Sequence, residues 1–200
     1  MKGIYAILDE SNFNFSSLEK SVKYMIKYNI KIFQIRIKSS FSKKNISIIK
    51  KIKFLCKNHK CLLILNDNVD LANELELDGV HVGSGDADIS SVRSTLGENK
   101  IIGVSCYNDI NLALSSEKLG ASYISFGSLY KTTTKLNPIN LNISTVKNAS
   151  KILKIPICLI GGINTNNVHD VIKLNCDLIA ISKGLSSNNE IENISKIYYE

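Results

Sequence analysis

Arginine is scarce in this chain. Arg36 and Arg93 are its two arginines, and lysine supplies the rest of the basic side chains behind a formal charge of +7. A basic balance points to nucleic acid or to a small anionic ligand. No basic patch interleaves with aromatic residues as single-strand binding requires. The lysines instead spread over helix faces such as Ser42–Lys60, so no nucleic-acid partner is expected. Long apolar runs are also missing. None reaches the ~18 residues that span a bilayer, so no membrane association is expected, and Met1–Tyr5 passes straight into a strand pattern with no sign of a signal peptide. Paired cysteine spacings are absent as well. Cys56, Cys61, Cys106, Cys158 and Cys176 are odd in number and mostly lie in apolar runs. They read as reduced thiols of a cytoplasmic protein rather than metal ligands or disulfides. There is no linker, no low-complexity stretch and no block of like charge, and 200 residues with 44% hydrophobic content suit one domain over residues 1–200.

What is present is a regular alternation. Short apolar, β-branched runs occur at Ile4–Leu8, Ile30–Ile37, Leu62–Leu65, Gly79–Val82, Ile101–Ser105, Tyr123–Phe126, Ile157–Ile160 and Leu178–Ile181. Amphipathic helical patterns follow them: Ser17–Tyr28, Asn45–Cys56, Val69–Leu77, Ile89–Leu96, Ile110–Leu119, Ile143–Leu153, Asn166–Leu174 and Glu190–Tyr198. Strict βα alternation implies an all-parallel sheet. Open doubly wound sheets usually have about five or six strands and carry a glycine fingerprint after the first. That fingerprint is absent, so the expected fold is α/β, an eight-stranded (β/α)8 TIM barrel. Its chemistry should then lie at the carboxyl ends of the strands.

Polar residues cluster at those ends. Gln34, Arg36 and Lys38 share one face of the second strand, with Ile35 and Ile37 on the other. Three polar side chains facing a barrel interior call for an anionic ligand, because unpaired buried charge is costly. Arg36 can hold a phosphate bidentately, which lysine cannot copy. Asp67 and Asp86 end or follow adjacent strands and suit magnesium beside phosphates. Asp70 and Asp88 begin helical patterns and are better read as N-caps. Ser105 ends the fifth strand. The loop after the sixth carries Thr132, Thr133, Thr134 and Lys135, hydroxyls and a cation suited to a phosphate. Gly161-Gly162 after the seventh strand and Ile181-Ser182 at the end of the eighth lie where such barrels often bind phosphate. His81 reads as a hydrogen-bonded interior histidine, and His59 and His169 as surface residues. No nucleophile–base pair stands out, so electrostatic rather than covalent chemistry is expected.

In their order and spacing, these residues resemble the thiamine phosphate synthase family over nearly the whole chain. The matching segments are Gln34-Ile35-Arg36-Ile37-Lys38, Asn66 through Ala72, Asp78 through Gly83 with Asp86, and Ile102 through Ser105. They continue with Phe126-Gly127, Thr132 through Lys135, Ile160 through Ile163, and Ile181-Ser182. The resemblance implies a transferase that joins an aminopyrimidine diphosphate to a thiazole phosphate, or its carboxylated tautomer, and releases pyrophosphate. It implies that Gln34, Ile35, Arg36, Ile37, Lys38, Asn66, Ser105 and Lys135 bind the pyrimidine diphosphate, with Arg36, Lys38, Ser105 and Lys135 catalytic. By the same resemblance Thr132, Thr133, Thr134, Gly162, Ile181 and Ser182 bind the thiazole phosphate, and Asp67 and Asp86 hold Mg2+. A homodimer is compatible with it. The chain departs from the family pattern at Asn68, Ser84, Cys106-Tyr107, Ser128, Lys131 and Lys183-Gly184. Rival readings are a thiazole tautomerase, another phosphate-binding isomerase barrel, and a decayed binding barrel without catalysis. The two isomerase readings leave the aspartates without a purpose.

Overall fold

A computed structural model of the chain describes residues 1–83, 88–131 and 141–200. Its strands are β1 (Gly3–Asp9), β2 (Ile32–Arg36), β3 (Leu62–Asn66), β4 (Gly79–Gly83), β5 (Ile101–Tyr107), β6 (Tyr123–Phe126), β7 (Ile157–Ile160) and β8 (Leu178–Ile181). All pair in parallel and in sequence order, and β1 joins β8 to close an eight-stranded barrel. The helices are α1 (Leu18–Lys27), α2 (Lys43–Asn58), α3 (Val69–Glu74), α4 (Ile89–Leu96), α5 (Ile110–Lys118), α6 (Ile143–Ile152), α7 (Val168–Ile172) and α8 (Asn188–Tyr199). The expected α/β architecture, a (β/α)8 barrel, is the observed one. No helix among the described residues is long and apolar enough to cross a membrane.

Period two sorts each strand into two cores. Ile4, Leu8, Phe33, Ile35, Leu63, Leu65, Val80 and Val82 point outward and pack under the helices in the larger apolar cluster. Tyr5, Ile7, Ile32, Ile64, Tyr123, Cys158, Leu178 and Ala180 fill the barrel interior. Parallel strands covered by helices on one side and packed inside the barrel on the other need apolar side chains on both faces, which explains the continuous runs in the sequence.

Several boundaries and one cap differ from the sequence pattern. Ile30 belongs to the turn that closes α1, donating its N–H to Met25, after Asn29 adopts a left-handed φ of 63°. β2 therefore begins only at Ile32; it ends at Arg36, and Lys38 lies beyond it. Asp70 is not the cap of α3. Asn68 takes that place, accepting from the Leu71 N–H at 3.0 Å, and Asp70 sits in the first turn, where it faces the positive helix end. Asp88 does cap α4 through the Ser91 N–H. Before α7, Asn164 to Asn167 form a side-chain-stabilised turn, so helix starts only at Val168. All five cysteines are free, four of them buried, and burial pushes the Cys56 thiol up to about 12.

Candidate active site

At the carboxyl ends of the strands, polar and glycine positions from several strands come together at one mouth. There they line a cavity of about 590 Å³ whose wall includes Asp9, Arg36, Ser105, Gly162, Ser182 and Lys183. Asp9 is the next inward residue after Tyr5 and Ile7 on β1, and it pairs directly in register with Arg36 on β2. Its buried carboxylate forms an ion pair with the Arg36 guanidinium and accepts the Ser11 N–H at 2.9 Å. Burial opposes ionisation of Asp9, but the bonds from Ser11 and Arg36 outweigh it and hold the carboxyl below its usual range. Among the described residues Asp9 is the one side-chain partner of Arg36. The other guanidinium N–H groups remain for a ligand.

Below the mouth runs a chain of buried hydrogen bonds. Gln34 Nε2 donates to the Tyr5 hydroxyl at 2.6 Å, and the Tyr5 and Tyr123 hydroxyls lie 2.9 Å apart. The Tyr123 hydroxyl meets His81 Nδ1 at 2.8 Å, and His81 Nε2 meets Ser105 Oγ at 2.9 Å. The chain crosses the barrel from β2 to β5 and emerges at Ser105 on the cavity wall. His81 is thus the hydrogen-bonded interior histidine the sequence suggests, while His59 and His169 are exposed. The Ser105–His81 contact joins two residues that the sequence pattern alone does not bring together. The two residues lie 24 apart on neighbouring strands, and sequence carries no inter-strand register.

The far wall is built from β7 and β8. Gly161 and Gly162 have φ of 114° and 65°, a region that side chains rarely adopt. A Cβ on Gly161 would stand 2.1 Å from Ser128 Oγ, and one on Gly162 2.6 Å from the Lys131 carbonyl. Only glycine lets these loops close together. Ser182 donates to the Ile7 carbonyl at 2.9 Å and accepts from Asn12 Nδ2 at 3.0 Å, which ties β8 to β1. Lys131 and Lys183 bring two exposed cations to this wall.

The structure gathers Arg36, Ser105, Gly162, Ile181 and Ser182 around the cavity, with Gln34 connected to it through the buried chain. Asn66 is buried at the end of β3. Ile35 and Ile37 are buried in the outer core, so their side chains do not line the cavity. Lys38 is not on the interior face. Its amine is half-exposed and forms an ion pair with Asp67, which has a left-handed φ of 62°. Asp86, Thr132, Thr133, Thr134 and Lys135 lie outside the described residues. Sequence reasoning missed Asp9, Tyr5, Tyr123 and the Asn164–Asn166 turn. For Asp9 the signal was available, because period two from Tyr5 and Ile7 puts it on the inward face at the strand end.

Comparison with known proteins bears on the family and the fold. A structure of thiamine phosphate pyrophosphorylase from Pyrococcus furiosus superposes with a TM-score of 0.85 at 28% identity, covering 97% of this chain and 94% of that one. A 3-hexulose-6-phosphate synthase from Salmonella typhimurium, at 19% identity and a TM-score of 0.71, shares the fold. The thiamine-phosphate synthase of Nitrosomonas eutropha is 36% identical over 98% of this chain and 92% of its own length. That of Clostridium acetobutylicum is 32% identical over 98% and 93%. The family model described as thiamine monophosphate synthase matches residues 4–185, and the chain, a transferase, belongs to that family.

Proposed function

We propose that this chain condenses 4-amino-2-methyl-5-(diphosphooxymethyl)pyrimidine with a thiazole ethyl phosphate, releasing pyrophosphate. With the carboxylated thiazole tautomer it also releases carbon dioxide. The observation that carries this reading is one cavity walled on one side by the oriented Arg36 and on the other by the Gly161-Gly162 and Ser182 loops. That arrangement suits two phosphorylated substrates side by side. The diphosphate lies toward Arg36, Lys38 and Lys135, and the thiazole phosphate toward Thr132, Thr133, Thr134, Gly162, Ile181 and Ser182. The free thiols fit a reducing compartment such as the cytoplasm.

Asp67 fits a magnesium ligand by its donor chemistry. It is a hard carboxylate at the end of β3, partly exposed, with an exposed lysine as its present counter-charge. Asp86 would be the second ligand. When bound, magnesium neutralises charge on the diphosphate. The protein's own residues do the rest. Arg36 and Lys38 bind the leaving group and favour its departure with the electrons of the methylene C–O bond. Gln34, Asn66 and Ser105 hold the aminopyrimidine, whose electron-rich ring stabilises the methylene cation. The cavity positions the thiazole nitrogen to form the new C–N bond.

Calorimetric titration with inorganic pyrophosphate tests this site. Binding is expected with magnesium and not without it, and Asp67→Asn is expected to shift the requirement to higher magnesium. An unchanged magnesium titration in that variant removes Asp67 as a ligand. No pyrophosphate binding under any condition overturns the synthase reading.

A further inference from the structure

The buried chain from Gln34 to Ser105 has a direction. Burial pushes the Tyr5 and Tyr123 hydroxyls well up from their usual range, so both stay neutral and each has one hydrogen to give. Gln34 donates to the Tyr5 oxygen, so the Tyr5 hydrogen goes on to Tyr123. The Tyr123 hydrogen then goes to His81 Nδ1. A neutral imidazole whose Nδ1 accepts must carry its hydrogen on Nε2. That hydrogen goes to Ser105 Oγ, and the Ser105 hydrogen is left for the cavity that Ser105 lines. The fold makes room for this arrangement. Gly103 pairs in register with Tyr123, and a Cβ there would stand 2.0 Å from the tyrosine ring. The surrounding interior is apolar, with Ile7, Ile32, Ile64 and Leu178, so each polar group depends on its neighbours in the chain.

We propose that Tyr5, Tyr123 and His81 are positioning residues that, running from Gln34, fix the Nε2–H tautomer of His81 and present the Ser105 hydroxyl as a hydrogen-bond donor to a ring-nitrogen acceptor of the ligand. With the chain reversed, Ser105 would offer only a lone pair and would favour a ring bearing N–H at that point. The wiring thus selects between heteroaromatic ligands by the polarity of one ring atom. The ligand half rests on the proposed function; the tautomer half does not.

Long-range proton–nitrogen NMR on the ¹⁵N-histidine protein, at about pH 8 where imidazole is neutral, reads the tautomer without ligand. His81, assigned by its loss in His81→Asn, is expected to show a protonated Nε2 and a bare Nδ1. A protonated Nδ1 overturns the proposal. Tyr123→Phe should release His81 into a mixture of tautomers. It should also weaken aminopyrimidine diphosphate binding roughly tenfold, as for one lost buried hydrogen bond, and leave magnesium–pyrophosphate binding unchanged. An unchanged tautomer, or equal weakening of both ligands, overturns the positioning role. Should Tyr123→Phe not fold, Gln34→Leu removes the donor at the far end, with the same tautomer mixture expected. Failure of the unaltered protein to bind pyrophosphate overturns the ligand half together with the synthase reading, and the tautomer still decides the wiring.

Discussion

Arg36 must be both fixed and available, and Asp9 reconciles the two. The carboxylate holds one edge of the guanidinium from inside the barrel, leaving the remaining donors in a set orientation for a diphosphate. Lysine in that place keeps the charge and loses the fork. Arg36→Lys is expected to lower kcat/KM for the diphosphate substrate roughly tenfold or more; unchanged steady-state kinetics would remove Arg36 from the reaction. Asp9 also links the site to stability. Its folded pKa lies below the ordinary 3.8, so its ionised form stabilises the fold above that value. This contribution is lost as pH falls through the lower folded value. Urea midpoints of the unaltered protein and Asp9→Asn should differ at neutral pH and converge in acid below about 3.8. A gap that stays constant into acid would contradict the pairing.

At the level of elements, much of the site could be read before the structure. Alternation within Gln34–Lys38 put Gln34 and Arg36 on the inward face, and the strand ends marked Ser105, Gly162 and Ser182. The reading failed where it ran past the strand. β2 stops at Arg36, so Lys38 lies beyond the strand, exposed and paired with Asp67. The helix start at Val69 was read correctly, but its cap was misassigned because Asn68 and Asp70 are both good capping residues, and the choice depends on where β3 ends. The links Tyr5–Tyr123 and His81–Ser105 were illegible for a different reason: they join strands whose register is a property of the closed barrel. Gly103 shows the cost of that closure. Gly103→Ala would drive a methyl into the Tyr123 ring and should destabilise the protein by about 1–3 kcal/mol, measured by denaturant unfolding. A neutral result would mean that Tyr123 does not fill that space.

For the molecule as a whole, closure is what turns scattered residues into a site. Arg36, Ser105 and Ser182 are separated by most of the chain, yet they line one cavity because β1 pairs with β8. The outer core and the helices carry no part of the proposed chemistry; they hold the eight strand ends in place. The most direct test supplies both substrates and magnesium to the purified protein and measures thiamine phosphate after oxidation to its fluorescent thiochrome form. The account predicts product that depends on magnesium and on each substrate. No product from a folded protein that also fails to bind pyrophosphate would contradict it.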